Sequence, residues 1–138
     1  MVGHRLPDLQ KLVIDYLNRP GTVQGLEGEL AGATAGGIRP STEEEPRPYV
    51  LVLATGGTGL SNRVLYTAQL TIDSYAPTSW WAGELARRVW DAIHALPEAD
   101  GPVAVVQSPA PVELPDPDTD LRRYTTTYQI TTRLGVTS

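Results

Sequence analysis

The chain has 138 residues, 41% hydrophobic and 20% charged, with a formal net charge of −5. This is the size and composition of one globular domain with a sizeable core, and the acidic balance argues against a general nucleic-acid binder, which shows a basic excess or stripe. There is no cysteine, which excludes disulfide frameworks, thiolate zinc sites and thiol catalysis.

The first residues, MVGHRLPDLQKLVIDYL, are broken by Pro7, Asp8 and Lys11 before an apolar run builds up, so they do not read as a signal peptide. No later stretch approaches a membrane span. The expectation is a soluble protein made in a cytoplasm, without internal repeats. Residues 7–18 read as a first helix, with Leu9, Leu12, Val13, Tyr16 and Leu17 on one stripe and Asp8 placed to suit the helix dipole. Asn18-Arg19-Pro20-Gly21 stops it. Thr22–Leu30 reads as a weak strand: Leu26 and Leu30 alternate with Glu27 and Glu29, against Gly25 and Gly28. Ala31–Pro48 is glycine-rich, then carries Glu43, Glu44 and Glu45 between prolines. With little to bury it reads as a long mobile loop, either solvated or ordering when a partner arrives.

Tyr49–Thr55 is a continuous apolar run of strand length, followed by Gly56-Gly57-Thr58-Gly59 as a connection. Residues 63–73 form a second strand. Val64, Tyr66, Ala68, Leu70 and Ile72 face one way; Leu65, Thr67, Gln69 and Thr71 face the other. The two runs form an antiparallel hairpin. Pro77–Leu96 is the strongest helix signal. Thr78 or Ser79 caps it, Trp81, Leu85, Val89, Ala92, Ile93 and Leu96 share a stripe, Glu84 and Arg88 pair at i, i+4, and Pro97 ends it. Away from the stripe stand Trp80 and Trp90, beside Arg87 and His94. Val103–Gln107 is a short strand. Residues 108–120, with Pro109, Pro111, Pro115 and Pro117, are extended and non-regular. Residues 122–133 are the last strand, with Tyr124, Tyr128 and Ile130 on one face and Thr125, Thr127, Gln129 and Thr131 on the other.

Helices are segregated from strands, which predicts a single α+β domain: a mainly antiparallel sheet, two helices on one face, and long loops. The Thr/Gln face is left for water or another subunit. No constellation points to catalysis. The TGGTG segment lacks the Lys-Ser/Thr and the following helix of a phosphate loop. Asp116, Asp118 and Asp120 match the first ligands of a calcium loop, but Leu121 and Thr127 stand where its glycine and bidentate glutamate belong. His4 and His94 are the only histidines, and no HExxH or GxSxG motif exists. No metal, cofactor or enzyme activity is expected. For Trp80 and Trp90 two readings compete. Either the sheet or a loop folds over them, or they anchor an interface, where Trp is enriched; the interface is preferred.

Four stretches in order cover most of the chain: PDLQKLVIDYL; YVLVLATGG; LTIDSYAPTSWWAGELARRVWDAI; and PVELPDPDTD before a strand ending TYQITTR. Together they resemble the tail-terminator (tail-completion) proteins of long-tailed bacteriophages, especially those of actinobacteria. The resemblance implies a structural virion protein at the tail–neck junction, assembled in the host cytoplasm. It implies a homo-oligomeric ring, usually a hexamer, whose partners are itself, the tail tube protein and the head–tail connector or stopper protein. DNA passes through the lumen without sequence-specific binding, and no catalytic residue carries over. Trp80, Arg87, Trp90 and His94 are then candidate subunit or neck contacts. Glu43, Glu44, Glu45, Asp116, Asp118 and Asp120 are candidates for docking or lumen loops. The alternatives are another neck component, such as a head-completion or stopper protein, and a small enzyme or ligand-binding domain built on His94, Arg87 and the aspartate loop.

Overall fold

The computed structural model describes residues 3–4, 8–23, 25–38, 47–61, 65–99, 101–133 and 136–137. Helix α1 (Leu9–Leu17) begins where the Asp8 carboxylate accepts the Lys11 backbone N–H at 3.0 Å, filling one of the donors a helix start leaves unpaired. It buries Leu9, Val13 and Leu17, four residues apart and so on one face. Helix α2 (Ser79–His94) is capped by the Thr78 hydroxyl, which accepts the Trp81 N–H, and buries Ala82, Leu85, Ala86, Val89 and Ile93. A Cβ at Gly83 would stand 3.1 Å from the Tyr124 ring, so glycine there lets the helix lie close on the sheet.

The strands are β1 (Gly3–His4), β2 (Thr34–Gly36), β3 (Tyr49–Ser61), β4 (Leu65–Ala76), β5 (Val103–Gln107), β6 (Val112–Glu113), β7 (Arg122–Arg133) and β8 (Val136–Thr137). β1 pairs with β8 as a separate two-stranded ribbon. The main sheet has the order β2-β3-β4-β7-β5, with β6 also pairing to β7. Every pairing is antiparallel except β2 with β3. Alternation along each strand gives the sheet two faces. On one, Val50, Val52, Ala68, Leu70, Ile72, Tyr128 and Ile130 pack in a single core with the buried faces of α1 and α2. The helices meet where the Tyr16 hydroxyl donates to the Ala92 carbonyl at 3.0 Å. The fold is the expected α+β arrangement, with both helices on one face of a mostly antiparallel sheet.

Several local expectations change. Thr22–Leu30 is not a strand: Gly25 and Gly28 take φ of +86° and +66°, a short 3₁₀ turn spans Gly28–Leu30, and Val23 and Leu30 are buried as isolated anchors. The segment 31–48 is not all loop. Ala33 and Ala35 are buried, β2 runs parallel to β3, and the Asn18 amide brackets Ala35, accepting its N–H at 2.9 Å and donating to its carbonyl at 3.0 Å. Glu43, Glu44 and Glu45 lie outside the described residues. The TGGTG segment does not turn: β3 continues through it, with register shifts between Ala54 and Gly56 and between Gly56 and Gly59. Gly57 has φ +141°, and a Cβ there would stand 2.6 Å from the Thr67 carbonyl oxygen, so only glycine fits this close approach. The hairpin connection, 62–64, lies outside the described residues.

Candidate functional site

The outward side of α2 divides into two halves. At the N-terminal half, Trp80 is 63% exposed, and its ring contact is an edge-on one to Trp81, 4.6 Å between centroids. Trp81 is partly buried against the core. Trp80 and Arg87 are seven residues apart, two turns along the same side. Arg87 and Arg88 both pair with Glu84, at 3.1 and 3.3 Å, and both keep about half of their side chains in solvent. At the C-terminal half, the proline-rich segment is fastened to the helix. The Trp90 indole N–H donates to the Pro109 carbonyl at 3.1 Å. The Trp90 ring lies 4.0 Å from the His94 ring, whose Nε2 is 2.7 Å from the Ser108 hydroxyl. Burial holds the His94 pKa below its ordinary value, with the Asp91 carboxylate opposing. The structure thus brings Trp90 and His94 together under a loop and leaves Trp80 and Arg87 bare. A loop cover for Trp90 was one of the two competing readings of this face. The residue that makes it, Pro109, is nineteen positions away and left no local signal.

The serine–imidazole pair has the geometry of a nucleophile and base. Here Ser108 and the next residue, Pro109, each take one contact from α2, so the pair acts as one of two adjacent fasteners of the same segment.

The aspartate loop is also divided. Asp118 and Asp120 are exposed, whereas Asp116 is 6% exposed and so is not part of a solvated surface. Its Oδ2 accepts from the Tyr75 hydroxyl at 3.0 Å and lies 3.6 Å from the Arg123 guanidinium; its Oδ1 accepts the Asp118 N–H at 3.0 Å. The same guanidinium stands 3.6 Å from Asp73, and Asp73 accepts from the Thr125 hydroxyl at 2.5 Å. Arg123 also donates to the Leu114 carbonyl at 2.7 Å and the Pro115 carbonyl at 3.3 Å. Burial pushes the Tyr75 phenol up, with the Arg123 hydrogen bond opposing. This network, with a small apolar cluster of Leu51, Tyr75 and Leu121, closes one end of the Thr/Gln face. Sequence reasoning placed Thr125 on the Thr/Gln face and Asp73 and Tyr75 in the LTIDSYAP stretch, but gave none of them, nor Arg123, a site role. The usable signals were a charge at the end of an otherwise uncharged strand face and the Arg122-Arg123 pair opening β7. Among the described residues, no group of three or more His, Cys, Asp or Glu is placed to hold a metal ion.

Between that closed end and the exposed Arg133 at the end of β7, the Thr/Gln face is an uncharged hydroxyl network. Thr67 pairs with Thr131 at 2.9 Å, Thr71 with Thr127 at 3.2 Å, and Thr55 with Thr71 at 3.3 Å. On the other side of the sheet, a groove of about 420 Å³ opens beside the start of α1, lined among others by Leu9, Gln10, Gly57, Tyr66 and Leu70. Its one acid, Asp8, is engaged in capping the helix. No protein-family model matches the sequence, and no curated protein matches it.

Proposed function

We propose that this chain is a structural subunit of the tail-terminator type. Its copies close into a ring on the end of a phage tail tube, end tube growth and join the tail to the head connector. The observation that carries the reading is Trp80, an indole 63% exposed on a helix whose opposite side is fully engaged in the core. A large aromatic left in water, with an exposed arginine two turns along the same side, is the chemistry of an interface anchor. The ordered resemblance of four stretches to that family gives the partner class. The network of Thr and Gln side chains supports it further: the network itself carries no charge, and the cations of that face stand at its two ends, Arg123 engaged by Asp73 and Asp116 and the exposed Arg133 at the other, so the stretch between them offers DNA no phosphate contact. The mechanism is steric. One ring face mimics a tube subunit and seats on the last tube ring, while the other lacks the surface on which tube grows. Such a ring uses heterologous contacts that close.

Light scattering and electron microscopy of the purified protein, alone and with tail tubes, test this. Rings bound at tube ends are the expected result. A protein that stays monomeric and never binds tube ends counts against the reading, and rings that bind only the connector assign the chain to another position in the neck.

A further inference from the structure

Among the described residues, the main sheet has two edges that are largely unpaired. β2 pairs with β3 only from Tyr49 to Leu51, and the Gln10 side chain reaches the Val52 carbonyl at 2.8 Å. From Leu53 to Ser61, no strand among the described residues pairs with the outer side of β3. At the opposite side of the sheet, none lies beyond β5. A bare edge is a row of unpaired N–H and C=O groups, which proteins normally blunt with charge, proline or a very short strand. Residues 53–61 read LATGGTGLS and residues 103–107 read VAVVQ; neither contains a charge or a proline. Bulges interrupt the edge of β3 between Ala54 and Gly59 and that of β5 between Val103 and Val105, which leaves residues 53–54 and 59–61 on β3 and 105–107 on β5 as regular edge. Each edge also holds an exposed aliphatic side chain on the Thr/Gln face, Leu53 at 36% and Val105 at 46%.

Strand direction decides what fits. The successive antiparallel pairings β3–β4, β4–β7 and β7–β5 leave β3 and β5 running in opposite senses. If a second copy is placed beside the first without being turned over, its β3 meets the first copy's β5 antiparallel. That is the pairing of every long pair within the subunit. A two-fold β3–β3 contact would cover one edge and leave β5 bare, whereas a head-to-tail seam covers both.

We infer that copies of this chain join edge to edge, the outer side of β3 in one copy pairing with β5 of the next through main-chain hydrogen bonds. The occupant of the edge is a second copy of this chain. The seam deepens the ring reading and rests on it for closure, because a repeated heterologous seam is the contact a ring needs.

The absence of cysteine gives a clean test. Leu53, Thr55, Val105 and Gln107 are exposed, at the two edges. Single variants Leu53→Cys and Thr55→Cys are mixed before assembly with Val105→Cys or Gln107→Cys and mildly oxidised; facing residues of paired strands fall within disulfide reach. Cross-linked dimers are expected in at least one mixture and in none of the single-variant samples. Val105→Lys, which puts a charge on the edge, is expected to lose assembled particles in light scattering while keeping its melting temperature. Rings that persist in Val105→Lys without mixed cross-links overturn the seam and leave the ring reading standing. Cross-links within a single-variant sample indicate a two-fold contact and overturn the seam as well. A protein that is monomeric alone and on tail tubes overturns both.

Discussion

One strand, β4, shows two ways of ordering a sheet face. Ala68, Leu70 and Ile72 are buried under the helices in one continuous apolar core. Thr67 and Thr71, alternating with them on the other face, are half-buried and ordered by hydroxyl contacts to Thr131 and Thr127 on β7. Apolar burial is non-directional and supplies most of the stability. Hydroxyl pairs exchange water for each other and return little net free energy, but they fix where each side chain points. The first face makes the domain fold. The second gives it an ordered, wettable surface, uncharged along its middle, that can change without unfolding the subunit. The exception is the end closed by Asp116 and Arg123, where the second face has a small core of its own.

Adjacent residues on β4 test that contrast. Leu70→Ala is expected to cost about 2–5 kcal/mol, the range for truncating a fully buried leucine. Chemical denaturation measures it, and a loss near zero would mean that the helix-covered face is not the main core. Asp116→Ala comes next, at about 2–3 kcal/mol, because it leaves the Tyr75 hydroxyl without its acceptor and removes one of two carboxylates beside Arg123. Asp116→Asn, which keeps an acceptor for Tyr75, should recover part of the loss. If both variants melt with the wild type, the closed end adds nothing to the fold. Thr71→Val removes one hydroxyl pair and keeps the shape, so it should cost about 1 kcal/mol or less. A larger loss would give the open face a structural weight that this contrast denies it.

A pH titration resolves a smaller effect. His94 has its pKa lowered in the folded protein, so between the folded and unfolded values the unfolded chain binds more protons. Its contribution is therefore fully favourable above about pH 6.5, the ordinary histidine value, and is lost as pH falls below it. His94→Gln is expected to flatten the decline in melting temperature between pH 7 and pH 5. Parallel profiles for the two proteins would show that the Ser108 contact is insensitive to the charge on the ring.

What could be read from the sequence follows from the range of the forces involved. Helix α2 and the faces of β4 and β7 were legible because periods of 3.6 and 2 are local signals. β2 was not: three residues pairing in parallel are held by the Asn18 amide, seventeen positions from Ala35, and by the burial of Ala33 and Ala35, and three residues are too few to show a period. The glycines of β3 read as a turn because glycine marks turns more often than bulges. What gives them another role is the Thr67 carbonyl pressed against Gly57 from the neighbouring strand. The aspartate loop looks solvated by composition; Asp116 is buried because Tyr75 and Arg123 arrive from two distant strands. At the candidate interface, the direction of Trp80 was legible in α2, while the cover over Trp90 depends on a proline carbonyl nineteen residues away.

That last difference chooses the probe for assembly. Trp90→Ala removes the bond to Pro109 and the stack on His94, so it disturbs the fold and any interface together. Trp80→Ala removes a ring that touches Trp81 edge-on and is otherwise largely in water, so its cost to the fold is the smallest of the set, about 0.5 kcal/mol. Its effect on assembly should be larger, because an exposed aromatic contributes most when a partner desolvates it. Melting curves and light scattering on the same preparations separate the two quantities. Unchanged melting with fewer rings makes this half of α2 a contact surface. Unchanged melting with undiminished rings makes it a solvent face and leaves assembly to the sheet edges, where Val105→Lys then becomes the decisive variant.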